Sequence, residues 1–107
     1  MIPTTEEITG NWISECTAPI HLDNLGCVIK FYFDTLPFDN HNVIRITSTS
    51  GKKETVLHRG VYSIEPSVND EFFIVIDKAT RIPARQYNET TFVSDLDTYG
   101  TMILLKR

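Results

Sequence analysis

Few residues of this chain have the types and spacing that catalysis needs. Asp95 and Asp97 flank Leu96, and on an extended strand their side chains point to the same side, as paired carboxylates for acid–base work do. The same pattern is typical of a solvated strand end that enters a turn, which is the simpler interpretation. The sequence has no Gly-x-Ser-x-Gly turn and no glycine-rich phosphate loop. We therefore predict no enzymatic activity and assign no catalytic residue.

The histidines and cysteines do not form a metal-binding pattern. His21, His41 and His58 are far apart in the sequence, and the first two fall in predicted loops. A metal site needs two or three donors that converge, and no pair of these histidines has strand spacing. Cys16 and Cys27 are eleven residues apart, without the Cys-x-x-Cys spacing of zinc sites. A disulfide between them and two half-buried thiols both remain open. No metal and no cofactor is predicted.

The composition predicts one all-β domain over residues 1–107. The β-branched and aromatic residues make up 43 of the 107, whereas there are only three alanines and one glutamine. A net charge of −4 and a pI near 5.2 argue against a basic surface for nucleic acid, and no nucleic-acid partner is predicted. No run of ten residues lacks a charge or a turn former, so no membrane span is expected. The acidic first residues do not resemble a secretory leader, which predicts a cytoplasmic protein, with the mature form of a secreted protein as the alternative.

Alternating apolar and polar residues, separated by turn formers, divide the chain into eight strands. The predicted strands are 8–15, 27–33, 42–49, 54–64, 71–77, 81–87, 90–96 and 100–107. Because an open sheet of this kind would expose two long edges, we predict a closed, up-and-down, antiparallel eight-stranded barrel. A β-sandwich is the alternative. Pro83 predicts that the sixth strand is an edge or carries a bulge.

The strand alternation also predicts which side chains fill the barrel. If Trp12 points inward, the same face includes Gly10, Ser14, Ile29, Phe31, Phe33, Ile44, Ile46, Tyr62, Phe72, Ile74 and Leu104. Eight strands enclose a space just wide enough for side chains or for one small ligand, and strands this short make that space shallow. A roomy carrier cavity is therefore not expected.

The segment from Ile8 to Trp12, which reads Ile-Thr-Gly-Asn-Trp, resembles the Gly-x-Trp signature of the lipocalin-like, or calycin, barrels. The resemblance covers the whole chain and is closest to the short bacterial lipocalin-like domains. It implies that Trp12 closes one barrel end and is packed by a basic residue of the last strand, for which Lys106 and Arg107 are both candidates. Gly10, Trp12, Lys106 and Arg107 are thus expected to be structural residues.

The resemblance and the missing catalytic motifs together predict a non-catalytic binding module that acts on a protein partner through loops at a barrel end. Short calycin-like barrels include the staphostatins, which inhibit a cysteine protease with a Gly-Thr-containing loop before the last strand. Gly100 and Thr101 occupy the comparable place here, and Tyr99 precedes them. Phe38, an aromatic residue in a polar turn, is a further candidate for partner contact. A carrier of a small apolar ligand is the alternative, and an enzyme ranks third.

Overall fold

In the computed structural model, the chain forms a closed barrel of eight antiparallel strands that pair in chain order. The predicted all-β, up-and-down barrel is confirmed, and the alternative sandwich is wrong. The structure describes residues 2–14, 28–36, 40–50, 52–95 and 102–107. Within these ranges no helix is both long and apolar enough to cross a membrane. The elements are α1 (Thr5–Ile8), β1 (Gly10–Ser14), β2 (Val28–Leu36), β3 (His41–Ser50), β4 (Lys53–Pro66), β5 (Glu71–Ile76), β6 (Thr80–Asn88), β7 (Thr91–Asp95) and β8 (Met102–Lys106).

The first strand begins two residues later than predicted, because the residues before it form the helical turn α1. The Thr4 hydroxyl accepts a hydrogen bond from the Glu7 backbone N–H, and the Glu7 carboxylate accepts one from the Thr4 N–H. This reciprocal capping box satisfies the free N–H groups at the start of the turn. Ile8, predicted to lie in the first strand, ends the turn and is buried. Its carbonyl accepts a 2.9 Å hydrogen bond from Trp12 Nε1 and so anchors the indole.

The strand register sets which side chains fill the barrel. Most of the predicted inner residues are buried, but Leu104 is 45% exposed, and the expectation that it points inward is wrong. Leu104 pairs with Val93 on the outer face, while its two neighbours, Ile103 and Leu105, are buried opposite Ser94 and Phe92. A one-residue shift moves every side chain to the other face. Strand β8 begins with four apolar residues, which do not alternate, and its one polar residue, the exposed Lys106, lies two residues after Leu104 on the same outer face.

Of the two alternatives that Pro83 predicts for the sixth strand, the edge is wrong, whereas β6 does carry an irregularity, although not at the proline itself. Strand β6 pairs with β5 on one side and with β7 on the other, as closure of the barrel requires. Pro83 lies opposite Phe73 in the β5–β6 ladder, and the β6–β7 ladder begins one residue later, at Ala84. The irregularity in β6 lies instead between Gln86 and Asn88. Proline is tolerated because it stands just beyond the pairing on the β7 side.

Two tight turns at β5 have a left-handed backbone without glycine. Asn69 and Asp70 have φ values of 56° and 62° before β5, and Asp77 and Lys78 have values of 52° and 60° after it. Positive φ at both central residues is the geometry of the turn whose twist matches that of the flanking strands. Asparagine and aspartate tolerate this geometry better than lysine does. Lys78 therefore carries local backbone strain.

Candidate functional site

The barrel interior is filled by interlocking aromatic rings. The ring of Phe92 lies edge-on to Trp12, with centroids 4.7 Å apart, and edge-on to Phe31 at 5.6 Å. Phe33 packs edge-on to Tyr62 at 5.1 Å. Edge-to-face pairs at these separations are in attractive contact. The rings come from strands β1, β2, β4 and β7, so they meet across the barrel and occupy the space where a carried ligand would lie.

Of the two predicted basic residues, Arg107 packs on Trp12. Its guanidinium carbon lies 4.3 Å from the centroid of the indole. The same guanidinium donates hydrogen bonds to the carbonyl oxygens of Glu7, Thr9 and Glu89, at 2.8–3.2 Å. Lys106 is exposed and pairs through its backbone with the neighbouring strands. Arg107 therefore links the residues just before β1 with the turn between β6 and β7.

The backbone conformation at position 10 requires glycine. Gly10 has a φ of +133°, a value that residues with a side chain rarely adopt. A Cβ added there would lie 3.7 Å from the nearest Arg107 nitrogen, an ordinary contact, so space is not the constraint. The Gly-x-Trp spacing places this bend two residues before the indole.

Two buried polar side chains of the interior bond to the local backbone, whereas the buried Thr47 hydroxyl has no hydrogen-bond partner among the described residues. Gln86 donates from Nε2 to the Asn88 carbonyl at 2.8 Å, and Ser94 donates to the Pro83 carbonyl at 3.3 Å. Burial raises the pKa of Tyr62 to about 12, so this phenol is protonated at neutral pH. None of these groups is paired with a second titratable side chain in the part of the chain that the structure describes.

The predicted acid–base and metal candidates do not converge where they are described. His41 is exposed at the start of β3, and His58 is half-buried on β4 opposite Ile46. Asp95 is half-buried at the end of β7. No group of three or more histidine, cysteine or acidic side chains among the described residues is arranged to hold a metal ion. Their remaining sequence partners, Asp97, His21, Cys16 and Cys27, lie outside the described residues.

The four predicted partner-binding residues, Phe38, Tyr99, Gly100 and Thr101, also lie outside the described residues. In the sequence they fall between β2 and β3 and between β7 and β8. Their role in partner contact stays a prediction.

A groove of about 740 Å³ runs across the outer face of strands β1–β4. Its first wall is a row of four side chains that lie opposite one another in successive strands: Asn11, Tyr32, Arg45 and Arg59. Its floor includes Val43 and Val61, which also pair across two strands, and Val61 is 44% exposed. An open concavity with an apolar floor and polar walls is the form that binding sites commonly take.

The first wall concentrates positive charge. Arg45 and Arg59 lie directly opposite each other, and like charges at that spacing repel. The Arg45 guanidinium lies 4.4 Å from the centroid of the Tyr32 ring, whose hydroxyl donates to Glu54 at 3.2 Å. In the described part of the chain neither arginine has an ion-pair partner. The wall therefore presents two guanidinium groups that no described carboxylate neutralises, of which one is held by stacking.

The second wall carries two carboxylates. Asp77 accepts a 3.0 Å hydrogen bond from the Val61 N–H, and its own N–H donates to the Val61 carbonyl at 2.8 Å. Asp34 accepts from the Thr35 N–H at 2.8 Å. A Cβ on Gly60 would overlap the Asp77 carboxylate, so glycine is needed for this close approach. The groove is thus positive along one side and negative along the other.

A second, smaller depression of about 260 Å³ lies over strands β5–β7. The charges around it differ from those of the groove. Arg81, which stacks over Phe73 at 4.6 Å, is paired with Glu65. Arg85 and Tyr87 point outward here and contact each other loosely, at 6.0 Å. Arg85 is therefore an exposed arginine outside the groove and serves as a control for Arg45 and Arg59.

Sequence reasoning missed the groove because it depends on register. The four residues of the first wall span positions 11 to 59, and only the pairing of four strands brings them into one row. The sequence gives one indication of the groove. Tyr32 and Arg45 each lie between two buried apolar residues of their strand, which predicts that both face outward.

Comparison of the chain with protein-family models, curated proteins and solved structures gave no match in any of the three.

Proposed function

We propose that this protein is a non-catalytic binding module that holds a segment of a partner protein in the groove across β1–β4. The observation that carries the proposal is the pair of arginines, without an ion-pair partner in the described ranges, beside an exposed apolar floor. Exposed apolar surface next to unpaired arginine is characteristic of protein interfaces, where arginine is enriched and an apolar patch is covered on binding.

Membership of the lipocalin-like, or calycin, barrels is part of the same proposal. Three features support it: the Gly10-x-Trp12 spacing, the guanidinium of Arg107 over the indole, and eight strands in chain order. Barrels of this type serve as carriers as well as binding modules, so the fold does not choose between them. The ring contacts of Phe92 and Phe33 favour the binding module, because they fill the space that a carrier keeps open.

The test of partner binding is selection from a displayed library of random peptides. We expect enriched peptides whose binding is lost in Val61→Arg, which puts a bulky charge on the groove floor. Val56→Arg is the matched control, because Val56 is an exposed valine of the same strand and lies outside the groove. Peptides that bind both variants equally, or no enrichment at all, would overturn the proposal.

The carrier alternative is tested with a neutral fluorescent probe of apolar cavities, N-phenyl-1-naphthylamine. We expect no saturable rise in fluorescence when the folded protein is titrated with the probe. Stoichiometric binding that is lost on enlarging a core ring, for example in Phe33→Trp, would show that the interior opens to ligands and would favour the carrier.

A further inference from the structure

We infer that the occupant of the groove is an extended peptide segment whose acidic side chains lie against Arg45 and Arg59. This inference rests on the proposed function and specifies the chemistry of the partner. It is drawn from the charge on the two walls and from the spacing between them.

The arginine pair favours a carboxylate between its members. Arg45 and Arg59 lie opposite each other on adjacent strands, and their mutual repulsion is relieved when an anion binds both. Arginine presents a planar fork of N–H donors that matches a carboxylate in two parallel hydrogen bonds. Tyr32 holds Arg45 by stacking and is itself tethered to Glu54, so one half of the receptor is ordered before binding.

The opposite wall favours an extended peptide in which acidic side chains alternate with hydrogen-bond donors. Asp34 lies in one row with the floor valines Val43 and Val61, and this row is two residues, or about 7 Å, along the strands from the arginine row. Asp77 lies beside Val61 at the other end of the row. Successive side chains of an extended peptide point to opposite sides. A peptide lying along the groove therefore directs every second side chain to the arginines and the others to Asp34 and Asp77. Acidic residues that alternate with hydrogen-bond donors, such as serine, fit both walls.

The negative overall charge of the protein opposes the binding of acidic peptides. A net charge of −4 repels acidic peptides at long range, so their binding has to come from local contacts with the arginines. A doubly charged phosphate is attracted more strongly by the arginines and repelled more strongly by the wall carboxylates than a carboxylate is, so a direct comparison of the two peptides separates them. Two arginines are also too few to neutralise the phosphates of a nucleic acid.

The test uses a capped, fluorescein-labelled octapeptide of alternating glutamate and serine, followed by fluorescence anisotropy. Its counterpart replaces each glutamate with glutamine. We expect the glutamate peptide to bind more tightly, and Arg45→Gln and Arg59→Gln each to weaken it by about two- to fivefold, as exposed ion pairs allow. Arg85→Gln, the exposed arginine outside the groove, should leave binding unchanged. Raising the salt from about 50 to about 500 mM should weaken binding to wild type and abolish the difference from Arg59→Gln.

Equal binding of the two peptides, or no effect of either groove arginine, would overturn the inference. Tighter binding of a phosphoserine peptide or of a DNA oligonucleotide would overturn it as well. The outcome is separable from that of the proposed function. If selected peptides depend on Val61 but contain no acidic residue, partner binding stands and the carboxylate assignment falls. If no selected peptide depends on Val61, both fall.

Discussion

Replacing Arg107 with alanine removes the contacts that fasten the start of β1 to the opposite end of the chain. The side chain donates four hydrogen bonds to three carbonyl oxygens and stacks on Trp12. In a solvent-accessible position each carbonyl contact contributes about 0.5–1 kcal/mol, and the cation–π contact adds about 0.5–1 kcal/mol. The expected loss in the free energy of unfolding is therefore about 2–4 kcal/mol.

The assay is reversible urea unfolding followed by Trp12 fluorescence, with Lys106→Ala as the matched control. Trp12 is the only tryptophan, so its emission reports directly on the site. Lys106 is an exposed basic neighbour, and its replacement should change stability by less than about 0.5 kcal/mol. Equal losses in the two variants, or a loss below about 1 kcal/mol for Arg107→Ala, would refute the reasoning.

Three further substitutions test the fold. Trp12→Ala should reduce stability by about 3–5 kcal/mol, because the fully buried indole leaves a hole against Phe92; a nearly unchanged thermal melt would contradict its structural role. Lys78→Gly should raise stability by about 0.5–1 kcal/mol by relieving the left-handed backbone, and a gain of the same size in Lys78→Ala would show that strain is not the cause. Because the pKa of Tyr62 is raised to about 12, its neutral form is favoured in the folded state, so stability is retained below pH 10 and lost as the pH rises from 10 to 12. The loss approaches about 2–3 kcal/mol in urea melts across this range and is absent in Tyr62→Phe; identical pH profiles would contradict this.

The barrel could be predicted because most strands alternate clearly between apolar and polar residues. In β2, Ile29, Phe31 and Phe33 alternate with polar or aromatic neighbours, and all three are buried as expected. The prediction was wrong where this signal was weak or overridden. Leu104 lies in a run of four apolar residues, and pairing with β7 decides which of them face inward. Ile8 fits a strand pattern, but the capping box formed by the two residues Thr4 and Glu7 starts a helical turn instead.

The groove could not be predicted from local sequence. Its arginine wall depends on the register of β3 against β4, which includes an irregularity between Ile46 and Thr47. Its acidic wall depends on a turn in which Asp77 folds back over Gly60. Both are contacts between residues distant along the chain, and neither leaves a periodic pattern. Arg45 and Arg59 therefore look like ordinary exposed charges until the strands are paired.

The most direct test of partner binding in the groove is a nuclear magnetic resonance titration of the ¹⁵N-labelled protein with a peptide enriched in the library selection. Saturable shifts are expected for the backbone amides of Arg45, Arg59 and Val61, while the Trp12 indole and the amide of Phe92 in the interior stay unperturbed. Shifts that centre on Trp12 and Phe92, or that leave the three groove residues unchanged at saturating peptide, would contradict the account.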